Sequence, residues 1–171
     1  MPILKLAVEA KKDALPRTEK EPFLPEDVPP SANSEPRPPV GQNRKILVVD
    51  DNLVVLKSFE LKLRASGFSV TTTSDAAEVA SAAESAGSEL IILDINFPPA
   101  VVGQDWNGFA IMQWLRRFPE LARIPVILIS GEESEKNKEK SLAEGAIAFF
   151  QKPVHYPALL STMLRALGIE K

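Results

Sequence analysis

The sequence predicts an α/β fold, a doubly wound parallel sheet with helices packed on both faces. Three observations carry that expectation. The runs KILVVD (45–50), ELIILD (89–94) and IPVILIS (124–130) are too continuously apolar for strands with one wet face and suit strands buried on both. Between them lie stretches whose apolar residues recur at helical spacing and stop at glycine. Strands and helices alternate, and parallel strands need such a crossover between them.

The elements follow in order. Lys45–Asp50 is the first strand, and Leu56, Phe59 and Leu63 then line one side of a helix that Gly67 ends. Phe68–Thr73 (FSVTTT) is rich in β-branched residues and reads as a second strand. Val79, Ala82, Ala83 and Ala86 mark a second helix ending at Gly87, and Glu89–Asp94 is the third strand. A third helix runs from Gly108 to Phe118 with Ile111, Met112 and Leu115 inward, and Pro119 closes it. Ile124–Ser130 is the fourth strand, followed by a polar helical stretch, Glu132–Glu144, and by Gly145. Within that stretch Glu132 and Lys136 stand at i, i+4, the spacing of a solvated helix face. Ala146–Gln151 is the fifth strand, and Leu159, Leu160, Met163, Leu164 and Leu167 form the stripe of the last helix.

Composition narrows the function. Twenty Lys+Arg against 23 Asp+Glu leave a net charge of −3, so no basic excess attracts phosphate backbones and nucleic-acid binding by this chain alone is not expected. The absence of Cys removes thiol catalysis and zinc–thiolate sites, and a lone His155 makes a His-based metal site or relay improbable. No apolar run approaches a membrane span, and the opening MPILKLAVEA is broken by Lys5 and Glu9, so a cytoplasmic protein is expected. Nine of the 15 prolines fall within residues 1–43, which are therefore expected to form a disordered, Pro-rich tail before one domain spanning 44–169. Ile3, Leu4, Ala7, Val8, Ala14 and Leu15 would share one side of a helix there, but an isolated helix that short is marginal in water.

Ligands of such sheets bind beyond the carboxyl ends of the strands, which directs attention to Asp50, Asp51, Asp94, Ser130 and Lys152. Two carboxylates about 4 Å apart repel by roughly 4 kcal/mol at an effective dielectric near 20, so three converging at one edge need protons or a cation. Oxygen-only ligands with an incomplete protein shell suit Mg²⁺. A metal, an ammonium (Lys152) and a hydroxyl (Ser130) around one carboxylate make a site for a phosphoryl group. Each residue also has a plain reading. Asp50, Asp51 or Asn52 would cap a helix, Ser130 would sit in a turn, and Lys152 would be solvated. The conjunction at four strand ends favours the site.

These motifs, VVDDN (48–52), ILDINFP (92–98), ILISG (127–131) and GAIAFFQKP (145–153), resemble those of the receiver domain of two-component response regulators, in the family's order. The resemblance covers Arg44 to about Leu167. It implies a flavodoxin-like (βα)5 fold with strand order 2-1-3-4-5 and a phospho-accepting signalling domain rather than an enzyme. Asp94 matches the phosphoacceptor, Asp51 the direct Mg²⁺ ligand, Asp50 its acidic neighbour, and Asn96 the residue that offers a backbone carbonyl. Lys152 matches the lysine that pairs with the phosphoryl group, followed by Pro153 at a typically cis bond. Ser130 matches the switch hydroxyl and Phe149 the switch aromatic. The implied partners are a sensor histidine kinase or histidine phosphotransfer protein, and an unidentified downstream protein target.

Two features depart from the family pattern. Family members place a glycine sooner after the phosphoacceptor, whereas Gly108 lies fourteen residues after Asp94, which makes 99–106 an extended loop containing Asp105 and Trp106. Only four residues follow Leu167, so the expectation is a stand-alone receiver signalling by protein contact. The rival from another class is a phosphorylation-independent interaction module, which the long loop favours and the intact acidic set opposes. A Mg²⁺ phosphatase with an aspartyl nucleophile would carry a DxDx[TV] motif that DDNLV lacks, and a dinucleotide-binding domain would need a Gly-rich turn after the first strand.

Overall fold

The computed structural model of the chain describes residues 40–97, 107–131 and 135–169. The expected Pro-rich tail before residue 40, the 99–106 loop with Asp105 and Trp106, and Glu132 lie outside the described residues.

The elements alternate throughout. They are β1 (Lys45–Val49), α1 (Leu53–Ala65), β2 (Ser69–Thr73), α2 (Val79–Ala86), β3 (Leu90–Asp94), α3 (Gly108–Leu115), β4 (Val126–Ser130), α4 (Glu135–Ala143), β5 (Ala148–Gln151) and α5 (Tyr156–Ala166). A single 3-10 turn, Ala76–Glu78, precedes α2, and the Asp75 side chain caps it by accepting from the Ala77 N–H at 2.8 Å. The five strands are all parallel, in the order β2-β1-β3-β4-β5. This is the flavodoxin-like order that the motifs imply.

The central strands are apolar on both faces because both faces are covered. Leu47, Val49, Ile91, Leu93, Val126 and Leu128 face one core with α2 and α3. Ile46, Val48, Leu90, Ile92, Ile127 and Ile129 face the other with α1 and α5. Every residue of β3 and β4 is buried. Burial of apolar surface, at about 25 cal/mol per Å², stabilises these two strands and the helix stripes packed upon them, and with them the sheet edge they end on.

Element boundaries differ from the periodicity by a residue or two, for local reasons. β4 begins at Val126 because the Ile124 N–H closes a turn onto the Leu121 carbonyl and Pro125 has no N–H to donate. β5 begins at Ala148 because the Ala146 N–H is taken by the Ser141 carbonyl at the end of α4. α3 ends at Leu115, and the Phe118 N–H turns back to the Leu115 carbonyl. Residues 40–43, which composition grouped with the tail, pack on the α1–β2 turn. The Gly41 N–H donates to the Ser66 carbonyl at 2.7 Å and the Asn43 N–H to the Gly67 carbonyl at 2.8 Å. A side chain at Gly41 would lie 2.7 Å from the Gly67 and Phe68 backbone, so the approach requires glycine. Arg44 then ties the start of β1 to the start of β3 through Glu89 and to the end of α5 through the Leu167 carbonyl.

Candidate functional site

The strand register sets the site. Asp94 is the last residue of β3 and Ser130 the last of β4, while Asp50 and Lys152 are the first residues beyond β1 and β5. Asp94 lies opposite Ile129, and the Lys152 N–H donates to the Ser130 carbonyl at 2.7 Å, so all four ends meet at one edge of the sheet. Ionisable groups reach this depth because apolar strands carry them there. Asp50 and Ser130 are fully buried and Asp94 nearly so, at 3 % exposure.

Asn52 does the work of capping α1, its Oδ1 accepting from the Val54 and Val55 N–H groups at 3.0 and 3.4 Å. That releases both neighbouring aspartates from the capping role their position allowed. Asp50 instead accepts from the Asn52 N–H at 2.9 Å through Oδ1 and from Lys152 Nζ at 2.6 Å through Oδ2. The same ammonium donates to Asp94 Oδ2 at 2.9 Å. Asp51 is exposed, and one carboxylate oxygen from each of Asp50, Asp51 and Asp94 falls within 4.8 Å of the others.

The electrostatics are unbalanced toward negative charge. Burial pushes the Asp94 carboxyl above its ordinary pKa and the Asp50 charge adds to this, with Lys152 and the Asn96 amide pulling the other way without prevailing. Burial would depress the Lys152 ammonium, but its hydrogen bonds to Asp50 and Asp94 outweigh that and hold it above the ordinary lysine value. Asp94 Oδ1 is buried with no hydrogen-bond partner among the described residues. An orphaned, buried carboxylate oxygen inside a cluster of oxygen donors fits a hard divalent cation, which would supply the missing partner.

The structure thus brings together Asp50, Asp51, Asp94 and Lys152, with Ser130 beside them at the end of β4. Asn96, exposed just beyond β3, lines the same groove as Asp51. Phe149 is set back from this cluster. It pairs with Leu128 and is half-buried against the core on the α2–α3 side, while Phe150 faces the opposite core. The Lys152–Pro153 peptide bond is cis. Two roles become definite only in the structure. One is that of Asn52, which the sequence offers as a helix cap alongside Asp50 and Asp51 and which alone takes the part. The other is that of Gly108, where an added Cβ would stand 2.4 Å from the Asp94 carbonyl oxygen and 2.8 Å from Ile95 Cα. The Gly108 N–H donates to the Ile95 carbonyl at 2.9 Å, which seats the start of α3 directly against the acidic edge.

Three aspartates and a lysine at the carboxyl edge of a doubly wound parallel sheet form a cluster whose carboxylates could hold a metal ion. The profile of the response regulator receiver domain matches residues 46–164, and the chain belongs to that family. It is 27 % identical over 125 residues to the polar-differentiation response regulator DivK of Brucella anthropi, covering 73 % of this chain and 97 % of that one. Among solved structures it is similar to the chemotaxis protein CheY4 of Vibrio cholerae, with a TM-score of 0.64 and 28 % identity over 72 % of this chain and 98 % of that one. A response regulator from Desulfuromonas acetoxidans matches with a TM-score of 0.64 and 30 % identity over 74 % and 98 %. The chain therefore carries a receiver domain of two-component signalling. No helix among the described residues is long and apolar enough to cross a membrane.

Proposed function

We propose that this chain is a phospho-accepting switch whose receiver domain, residues 44–169, takes a phosphoryl group on Asp94 from a sensor histidine kinase or a histidine phosphotransfer protein. The observation that carries the reading is the orphaned Asp94 Oδ1, buried beside Asp50 and Asp51 and opposite the Lys152 ammonium. In the transfer, an Asp94 oxygen attacks phosphorus, the P–N bond to the imidazole breaks, and the electron pair leaves with the imidazole, which takes up a proton. Lys152 stays charged throughout and neutralises the phosphoryl oxygens as the P–O bond forms. Asp50, Asp51, Asp94 and the Asn96 backbone carbonyl would hold Mg²⁺, which when bound draws negative charge from the transferring group. Water attack on phosphorus later breaks the P–O bond and restores the carboxylate.

Ser130 is the hydroxyl that turns toward the phosphoryl group, and Phe149 is the aromatic that reports the change to the surface around α4 and β5. The partner docks at the start of α1, where Leu53 and Val54 are 69 % and 78 % exposed within three residues of Asp51. The setting is cytoplasmic by the same reading, and the downstream target is a protein.

Phosphate uptake from acetyl phosphate, with and without Mg²⁺, tests this by intact mass. A Mg²⁺-dependent adduct of one phosphoryl group that is absent from Asp94→Asn is the expected result. No adduct under conditions that label an ordinary receiver would overturn it.

A further inference from the structure

A groove of about 620 Å³ opens from the acidic edge toward α4. Its polar wall is built from Asp51, Asn96, Asn107 and Asn137, with Phe109 behind them, and Lys140 supplies the one cation among its described lining residues. Lys140 Nζ stands 4.2 Å from the centroid of the Phe109 ring, which holds the ammonium on the groove side of α4. Its carboxylate neighbour, Glu144, is 3.8 Å away, and a half-exposed pair of that length restrains a four-carbon arm only weakly.

The charge of the site gives this cation a task. Three clustered carboxylates and the Lys152 ammonium leave two formal negative charges, which a divalent cation cancels. An aspartyl phosphate then carries one negative charge more than the carboxylate it replaces, and an incoming phosphoryl donor is itself an anion. Lys152 is already committed to Asp50 and Asp94. Among the described residues lining the groove with Asp51 and Asn96, Lys140 is the remaining ammonium.

We propose that Lys140 is an anion-binding, specificity-determining residue of this site. It draws dianionic phosphoryl donors into the groove and offsets the surplus charge once Asp94 is phosphorylated. The inference rests on the phosphoacceptor reading of Asp94, and it extends that reading to a residue of α4.

The test compares the full chain with Lys140→Met and Lys140→Arg, in the presence of Mg²⁺, at low and high NaCl. The methionine keeps an unbranched, polarisable side chain against Phe109 and removes only the charge. Two donors are used at neutral pH, acetyl phosphate as a dianion and phosphoramidate as a net monoanion. Uptake is followed by intact mass, and Tm is measured on each variant. Lys140→Met is expected to take phosphate from acetyl phosphate roughly two- to fivefold more slowly at low salt. The deficit is expected to be smaller with phosphoramidate and to close at high salt, with Lys140→Arg near wild type. Equal rates for Lys140→Met and wild type overturn the proposal, as does an equal loss with both donors that salt does not change. A wild-type chain that takes no phosphate overturns the phosphoacceptor reading and this proposal with it, so the two failures are distinct.

Discussion

Replacing Asp94 by Asn stabilises the metal-free protein at neutral pH, although it removes an ion pair. Lys152 Nζ lies 2.9 Å from Asp94 Oδ2, which at an effective dielectric near 20 is an attraction of about 6 kcal/mol. Asp50 opposes it with about 3.5 kcal/mol if the two oxygens stand at the 4.8 Å limit of the cluster, and exposed Asp51 adds a smaller, screened repulsion. Taking a carboxylate to 3 % exposure costs several kcal/mol more, so the ionised form ends up disfavoured. The raised pKa of Asp94 has the same sign. Asn keeps the shape, drops the charge and leaves Lys152 its 2.6 Å bond to Asp50. The net gain is about 1–3 kcal/mol, or a Tm higher by roughly 3–10 °C.

The pH dependence follows from the direction of that shift. Where the folded state keeps a proton that the unfolded chain has already lost, stability falls as pH rises. The penalty is therefore absent below the ordinary aspartate pKa, grows as pH rises past it, and is complete above the folded value. Thermal unfolding by circular dichroism, with chelator, at neutral and at acidic pH measures it. A difference that favours Asp94→Asn at neutral pH and shrinks on acidification is expected. A destabilised Asp94→Asn at neutral pH, or a gap indifferent to pH, would refute the reasoning.

Adding Mg²⁺ should raise the wild-type Tm with the logarithm of its concentration, the stabilisation reaching about 1.4 kcal/mol at roughly ten times Kd, and Asp51→Asn should lose most of that shift in the same titration. Lys152→Met leaves buried Asp50 and Asp94 facing each other, so urea denaturation without metal should show a loss of about 3–5 kcal/mol, partly restored by Mg²⁺. The Lys152 contribution should also fade in alkali. Its folded pKa is raised, so its stabilisation is full below the ordinary lysine value and is lost as pH climbs through the folded one. Gly108→Ala forces a methyl against the Asp94 carbonyl and Ile95 Cα, both backbone, so it should cost at least about 2 kcal/mol in denaturant and slow phosphate uptake together. Tyr156→Phe removes a hydroxyl bonded at 2.9 Å to both Ser66 Oγ and the Lys62 carbonyl, and chemical denaturation should report a loss of about 1 kcal/mol.

Most of the sheet was legible because hydrophobicity and topology demand the same thing. A strand buried on both faces has no room for alternation, so β3 and β4 announced themselves, and the polar residues where their runs ended had to lie at the ligand-binding edge. The acids, Ser130 and Lys152 were found that way. What the sequence could not show was which neighbour satisfies which group. Asp50, Asp51 and Asn52 are all adequate helix caps, and only the backbone path assigns the cap to Asn52. The docked turn at 40–43 was hidden by a composition average, although Gly41 and Asn43 are turn residues, and Gln42 and Asn43 adopt φ of 48° and 58°. Lys140 was hidden in a helix so polar that its charges read as solvation. Its place over Phe109 depends on a contact between distant elements.

That polar helix also explains how a small chemical event can move a surface. α4 buries one residue, Ser141, whereas α1, α3 and α5 each bury three or more. Its attachment therefore rests on few apolar contacts, supplemented by the Lys140–Phe109 contact and by the bond that Gln113 Nε2 donates to Glu144, just past the helix, at 3.2 Å. On the proposed phosphoacceptor reading, an element held this lightly would be displaced by the few kcal/mol that one new charge-assisted hydrogen bond supplies, whereas the doubly buried strands beneath it would not. Asp94, Ser130 and Lys152 sit at the ends of the sheet strands, and Lys140 is carried by the α-helix that buries fewest residues. If the phosphoryl group on Asp94 attracts Lys140, the groove narrows by moving α4, and the site that receives the signal pulls directly on the surface that transmits it.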